Sequence, residues 1–247
     1  MIKFFRKIRH KLLSEEKTGS PAEASAKAGN YLKYAIGEIV LVVIGILIAL
    51  SINNWNENRK LDDTGIEYIE NIKSEIIQDT IGLNDLIQTG RNHIKEIENF
   101  KSYMLKSEDS LSKKIDGSLE LNISFYRYFP VNQTYLDMQS SGSSKLLSQT
   151  QRNALASLLN QQNKISKANE TYINWAIKEV TNRNQFMDEY GLINKILEKP
   201  STLEEMKLTL RHQLNYLNIM EKMAKTLIKF AIEAKSTSNS VITTLEE

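Results

Sequence analysis

The sequence predicts an all-α protein in which one N-terminal transmembrane helix continues into the first, long helix of an antiparallel helical bundle. Residues 35–52 read AIGEIVLVVIGILIALSI, an apolar run with a single charge. Beyond residue 55, apolar residues recur at intervals of three and four, which is the spacing of one face of an α-helix. Ten glycines and three prolines are too few for the many tight turns of a β-sandwich.

The apolar run is long enough to cross a bilayer, because its eighteen residues span about 27 Å as a helix. Tyr31 and Tyr34 precede it and Trp55 follows it. Aromatic rings with a polar edge favour the two membrane interfaces. We therefore predict a transmembrane helix over residues 34–55.

Two alternatives to a membrane span remain open at this point. A signal peptide could be cleaved near Ala49-Leu50-Ser51, where small residues stand. The long leader, the length of the apolar run and the charge inside it argue against cleavage. The run could also be a buried helix of a soluble protein, although little else in the chain is apolar enough to surround it.

The charges on the two sides of the span predict its orientation. Residues 1–33 contain eight lysines and arginines against three glutamates, whereas only Arg59, Lys60 and Lys73 follow the span closely. Basic residues stay preferentially on the cytoplasmic side. We therefore predict a basic cytoplasmic leader and linker over residues 1–33 and an exported helical-bundle domain over residues 56–247.

One stripe of the span combines small residues with a charge. Glu38, Val42, Gly45 and Ala49 share a helical face, and Gly45 and Ala49 have the spacing that lets two helices approach closely. This face predicts packing against a partner helix or a second copy of the chain. Glu38 is either an ionisable group paired across that face, which could carry protons, or a residue that reaches headgroup water.

The periodicity after the span predicts the order of the first elements. Apolar positions from Ile66 to Met104 indicate one long amphipathic helix. Residues 107–118 are typical of a polar loop, and residues 119–130 of a short strand or an aromatic cap. A short helix is expected from Asn132 to Ser141, ending at Gly142.

Two capping signals predict the last two helices. Ser148 and Gln151 have the spacing of a capping box, and they start a helix that reaches about Tyr190. The same kind of helix-start signal recurs at Pro200, Ser201 and Glu204. The apolar stripe of the last helix is expected to contain Met206, Leu210, Leu214, Leu217, Met220, Met223, Leu227, Phe230 and Ile232.

Aromatic residues gather around one arginine between the predicted helices, a composition typical of a protein contact or a ligand-sensing pocket. A lysine follows in the serine-rich turn of residues 140–145, whose backbone amides could hold an anion. The alternatives are an aromatic plug at the end of the bundle and an ordinary capped turn. The candidate partner or ligand surface consists of Tyr126, Arg127, Tyr128, Phe129, Tyr135 and Lys145.

Composition and motifs exclude several classes of function. The chain has no cysteine, and its three histidines stand apart without a metal-ligand spacing. It also lacks the glycine-rich phosphate loop, the dinucleotide turn and the nucleophile elbow, so we expect no catalytic residue, metal or cofactor. The basic charge lies in the leader and the domain is nearly neutral, which disfavours a nucleic-acid partner.

The stretch YAIGEIVLVVIGILIALSINNWNENRK, preceded by MIKFFRKIRHKLLSE, resembles an uncharacterised family of short Bacteroidota proteins with one N-terminal span. Residues 135–142, YLDMQSSG, resemble a helix-turn-helix stretch of that family, whereas the linker of residues 17–29 departs from it. The resemblance implies an inner-membrane protein with a cytoplasmic N-terminus and a periplasmic C-terminal domain. It implies no mechanism, because the family has no assigned activity.

The resemblance also implies a modification. Asp109-Ser110-Leu111 and Asp79-Thr80-Ile81 resemble the periplasmic O-glycosylation acceptors of that phylum. The first lies in the predicted polar loop, so Ser110 is the candidate acceptor.

Three functional hypotheses follow. The first is an interaction or scaffolding protein of the cell envelope, with residues 125–135 as its contact surface for an unknown envelope partner. The second is a sensor that binds a ligand near Arg127 and Lys145 and signals through a partner protein. The third is an ion-coupled subunit that uses Glu38. An enzymatic activity is the least favoured, because no pair of titratable residues has a spacing that demands acid and base roles.

Overall fold

The computed structural model describes residues 21–121, 123–186 and 201–247, with side chains from residue 35 onward. Within these ranges the chain forms five α-helices and no strand, which confirms the predicted all-α fold. The helices are α1 (Pro21–Lys106), α2 (Leu111–Leu119), α3 (Gln133–Ser141), α4 (Gln149–Asn184) and α5 (Leu203–Glu246), and a 3-10 turn (Ser143–Leu146) separates α3 from α4.

The chain divides into two compact units, Met1–Asp62 and Asp63–Glu247, and α1 contributes residues to both. In the first unit, the described residues are all helical. The Ser51 hydroxyl donates a hydrogen bond to the Leu47 carbonyl 2.8 Å away, one turn back. The Arg59 guanidinium lies 5.6 Å from the centre of the Trp55 ring, within the range of a cation–π contact.

Three long helices build the second unit: the part of α1 from Asp63 onward, α4 and α5. The first two run in the same direction. Ile76 shares a core with Leu155 at the start of α4, whereas Ile97, further along α1, shares a core with Ile173. A parallel pair of helices needs a long return connection, because the chain must travel back along the bundle between them.

Helix α5 runs antiparallel to the other two long helices. The Lys73 ammonium lies 3.6 Å from the Glu246 carboxylate at the end of α5, while Lys101, further along α1, pairs with Glu221. Against α4, the Lys164 ammonium lies 3.2 Å from the carboxylate of Glu233. The predicted antiparallel helical bundle is therefore confirmed, with α5 as its antiparallel member.

Two apolar cores hold these helices together, and burying a large apolar side chain stabilises the fold by about 1.5–3 kcal/mol. The first core contains Ile72, Ile76, Tyr135, Met138, Leu147, Leu155, Leu158, Val241 and Leu245. The second core is larger, and its fully buried members include Leu83, Ile97, Ile165, Leu217, Met220, Met223 and Leu227.

The predicted apolar stripe of α5 is wrong at its far end. Ile232 is 51% exposed, whereas Ala231 and Ala234 are fully buried. A small side chain lets neighbouring helices approach closely, so the buried face here is lined by alanine rather than by the larger apolar residue. The stripe is correct from Leu217 to Leu227, where the large apolar positions coincide with the core.

Residues 107–148, called the return segment here, carry the chain back from the end of α1 to the start of α4. The predicted polar loop over residues 107–118 is wrong, because α2 begins at Leu111 behind an N-cap at Ser110 and buries Ile115 and Ser118. Of the two alternatives predicted for residues 119–130, a short strand or an aromatic cap, the strand is wrong. Leu119 is the last residue of α2, and the described residues from 120 to 130 form neither helix nor strand.

The capping signals locate the remaining helix ends. The Ser148 hydroxyl accepts from the Gln151 amide at 3.2 Å, and the Gln151 side chain accepts from the Ser148 amide at 2.9 Å, so the predicted capping box is confirmed. The last helix begins with a box at Thr202 and Glu205, one residue later than predicted. The predicted end of the preceding helix near Tyr190 is wrong, because α4 ends at Asn184 with Gln185 as its C-cap.

Candidate functional site

The apolar part of α1 is exposed to its surroundings. The large apolar side chains from Ile36 to Ile52 range from 47% exposed at Val43 to 71% exposed at Leu41. This helix has the length and composition to cross a membrane, and none of its most apolar window is buried inside the protein. This segment is therefore not a buried core helix. A signal sequence would also have this length and composition, so that alternative stays open.

The predicted packing face lies on this exposed segment. Glu38, Val42, Gly45 and Ala49 are all exposed. A Cβ added at Gly45 would meet no heavy atom within 4 Å, so the space beside this glycine is open. Whether the face binds a second helix, and whether Glu38 takes part, stays a prediction.

In the second unit, a buried aspartate organises the return segment. Asp79 of α1 is 1% exposed. Its carboxylate oxygens accept hydrogen bonds from the Tyr128 hydroxyl at 2.7 and 2.9 Å, from the Gln162 amide at 2.9 Å and from the Val131 backbone at 3.1 Å. The Gln162 carbonyl in turn accepts from the Asn132 side chain at 2.7 Å. Several donors offset the cost of burying the carboxylate, and together they fix the return segment against α1 and α4.

A second carboxylate, one turn earlier on α1, binds the start of α3. Glu75 accepts from the Thr134 backbone amide at 3.0 Å and from the Thr134 hydroxyl at 2.8 Å. The N-cap residue Asn132 makes no side-chain cap of its own. A carboxylate at a helix N-terminus satisfies a free amide and interacts favourably with the helix dipole. Glu75 and Asp79 are called the carboxylate clamp below.

Polar side chains of α4 and α5 bind the other side of the return segment. The Asn169 amide donates to the Tyr126 carbonyl at 2.9 Å, and the Tyr216 hydroxyl donates to the Ile123 carbonyl at 2.6 Å. The Gln213 amide donates to the Ser118 carbonyl at 2.9 Å. Buried backbone groups that make no hydrogen bond within a helix need such partners. The return segment is therefore held from all three long helices.

The structure divides the predicted aromatic surface into a buried and an exposed part. Tyr128 and Tyr135 are 6% and 5% exposed and belong to the two cores, and Tyr126 is half-buried. Phe129 is 75% exposed, and its neighbour Arg127 is exposed too. Lys145 is exposed on the 3-10 turn.

The buried tyrosines differ in how their hydroxyls are paired. Burial, and then the adjacent Asp79, raise the pKa of Tyr128 far above its ordinary value, so its hydroxyl remains a donor at neutral pH. Burial alone raises the pKa of Tyr126. The Tyr135 hydroxyl donates to the Arg152 carbonyl at 3.2 Å. Tyr128 and Tyr135 thus have structural roles, and the roles of the exposed residues in binding stay predictions.

Sequence reasoning missed the carboxylate clamp. Asp79 stands three residues after Ile76 and four before Leu83, so it occupies a position of the apolar stripe. A carboxylate at a core position signals a buried polar network. The neighbouring Thr80 has no part in this network, because its hydroxyl donates to the Ile76 carbonyl of its own helix.

The candidate modification site caps a helix. Ser110 is exposed, and its hydroxyl accepts from the Lys113 amide at 3.4 Å at the start of α2. Its neighbour Asp109 accepts hydrogen bonds from Ser107 and Tyr103, which together lower the pKa of that carboxyl. Thr80, in the second acceptor-like sequence, is half-buried beside the fully buried Asp79. Glycosylation at Ser110 stays a prediction.

The fold and its surfaces define a class: a helical-bundle protein whose described residues include one candidate membrane span near the N-terminus. The chain matches the Family of unknown function (DUF6090) over residues 38–180, more than half of its length, and it belongs to that family. The predicted membership of an uncharacterised family is confirmed. No curated protein and no solved structure matches the chain.

Proposed function

We propose that this chain is a single-span protein of the inner membrane, with its N-terminus in the cytoplasm and its helical domain in the periplasm, that acts by binding another envelope protein. The exposed apolar segment of α1 supports the span. The excess of lysine and arginine in residues 1–33 supports the orientation.

The docking surface in this proposal consists of Phe125, Arg127 and Phe129. These side chains are exposed, and Phe129 reaches 75% exposure. The carboxylate clamp holds the adjacent Tyr128 and Val131, so the backbone that carries the exposed residues is fixed before a partner arrives. Rigid aromatic side chains beside an arginine are the usual anchors of protein interfaces, because little conformational entropy is lost when they bind. The exposed Phe129, next to the buried and hydrogen-bonded Tyr128, is the observation that carries the proposal.

The proposal is tested by purifying the full-length protein in mild detergent and identifying copurifying proteins by mass spectrometry. Phe129→Ala and Arg127→Ala are compared with the wild type and with Leu105→Ala. Leu105 is 87% exposed, so its replacement removes a similar apolar area from a different surface. We expect a partner that is lost in the Phe129 and Arg127 variants and kept in the Leu105 variant. An identical set of proteins in all four samples would contradict the proposed surface.

A further inference from the structure

A second exposed surface lies between α4 and α5, and no described residue of the return segment lines it. Two antiparallel helices leave an open groove there. The lining runs from Lys164 to Trp175 on α4, about 16 Å along a helix axis. An extended peptide of about five residues has the same length. Its charged and aromatic lining residues are Lys164, Lys167, Tyr172, Trp175 and Phe230.

The aromatic part of this groove is held in place before any ligand binds. Trp175 is 50% exposed, and the Tyr172 ring meets it edge to face, with ring centres 5.3 Å apart at an angle of 81°. The Tyr172 hydroxyl lies 3.1 Å from the hydroxyl of Thr226 on α5. Rings at right angles form a corner, which fits one inserted apolar side chain better than a flat sugar ring that stacks on a single open face.

The charged part of the groove is positive. Two lysines line it, and none of the described lining residues is acidic. The Lys164 ammonium lies 4.0 Å from the centre of the Phe230 ring and 3.2 Å from the carboxylate of Glu233, so it is held at the groove's edge with part of its charge balanced, and Lys167 supplies most of the positive charge. Lys167 is exposed one turn further along α4. A ligand that complements this groove has an apolar side chain flanked by negative charge.

We propose that the groove binds a short acidic peptide segment of a partner protein, with an apolar side chain against Trp175 and Tyr172 and carboxylates beside Lys164 and Lys167. This site is separate from the docking surface at Phe129. It gives the protein a second contact, and this contact is selective for charge.

The test uses the full-length protein in detergent with Trp55→Phe, which leaves Trp175 as the single tryptophan. Its fluorescence is followed during titration with three acetylated, amidated hexapeptides: Glu-Glu-Leu-Phe-Glu-Glu and its analogues with glutamine or lysine in place of glutamate. We expect the glutamate peptide to change the emission and to bind at least about fivefold more tightly than the glutamine peptide, with weaker binding at high salt. The lysine peptide is expected to bind least.

Variants assign the charge preference to the groove. Lys164→Gln combined with Lys167→Gln is expected to abolish the preference for glutamate, and Lys167→Glu to favour the lysine peptide. Lys178→Gln, at an exposed position of the same helix outside the lining, and Phe129→Ala are matched controls that keep the preference. Equal binding of the charged and neutral peptides, no emission change with any peptide, or tighter binding of chitotetraose would overturn the proposal. Because the Phe129 control tests the other surface, the two proposals can fail independently.

Discussion

Two buried polar residues on α1 differ in whether their side chains find hydrogen-bond partners. Asp79 has donors from three directions, all of them from other parts of the chain. His93 is 5% exposed, and its Nδ1 has no hydrogen-bond partner among the described residues. Its ring meets Tyr126 edge to face at 5.1 Å. We therefore expect Asp79 to stabilise a specific arrangement of the return segment and His93 to weaken the fold when it becomes protonated.

Replacing Tyr128 with phenylalanine tests the carboxylate clamp. Tyr128→Phe removes the hydroxyl that donates to both oxygens of Asp79, while the apolar ring stays in the core. The free energy of unfolding should fall by about 1–3 kcal/mol, since a buried carboxylate loses a donor. Urea denaturation followed by circular dichroism measures this change. Tyr103→Phe is the control, because its hydroxyl pairs with Asp109 at the surface, and it should cost less than about 0.5 kcal/mol. Equal losses in the two variants would rule out a special role for Tyr128.

The pH dependence of stability tests the state of His93. Burial lowers the pKa of this imidazole, and the charge of Glu96 only partly opposes that effect. The unfolded chain therefore takes up a proton below pH 6.5 that the folded chain resists, so stability falls as the pH drops from 7 to 5. His93→Leu removes this contribution. We expect the melting temperature of the variant to fall less than that of the wild type over this range, and parallel curves would contradict the assignment.

The helices show where local sequence determines structure and where contacts between elements decide it. The Ser148 box and the stop at Gly142 were predictable, because both signals lie within four residues of the helix end they define. The start at Thr202 was misplaced by one residue, since Ser201 and Glu204 have the same spacing as Thr202 and Glu205. Helix α2 was missed because its buried face consists of only Ile115 and Ser118 packed against another helix.

Alanine substitutions at two glycines of the second unit should change the stability of the protein in opposite directions. Gly142 ends α3 with φ = 75°, a backbone conformation that an L residue adopts at a cost of about 1–2 kcal/mol. Gly82 lies inside α1 and is exposed, and a Cβ there meets no atom within 4 Å. Gly142→Ala should therefore destabilise the protein by about 1 kcal/mol or more, whereas Gly82→Ala should stabilise it by up to about 1 kcal/mol. Thermal unfolding of the two single variants tests this prediction. Melting temperatures that shift in the same direction would contradict it.

For the whole molecule, the sequence determines the class of fold more securely than the sites. The candidate span and the three long helices were predictable from the length and period of apolar runs. The exposure of Phe129 and the burial of Tyr128 were not, because neighbouring aromatic residues look alike until tertiary contacts are known. The groove beside Trp175 was missed for the same reason, since it depends on which residues of α5 face α4.

The absence of cysteine from the sequence makes the proposed topology directly measurable. Single cysteines are introduced as Ser14→Cys in the leader and as Ser110→Cys at an exposed position of the domain. Intact spheroplasts are then treated with a membrane-impermeant maleimide. We expect labelling at position 110 only, and labelling at both positions after the membrane is permeabilised. Labelling at position 14 alone would show the opposite orientation, and a processed, shorter product would show that the apolar segment is cleaved.

The antiparallel return of α5 has a consequence for how the domain folds during synthesis. The side of α1 near Lys73 meets residues next to Glu246, at the far end of the domain sequence. Contacts between residues so distant in sequence form late and slowly, because a long loop must be ordered first. Until the ribosome has released α5, the apolar faces of α1 and α4 have no third helix to cover them. A nascent chain of this kind therefore needs protection from aggregation and proteolysis while it is unfinished.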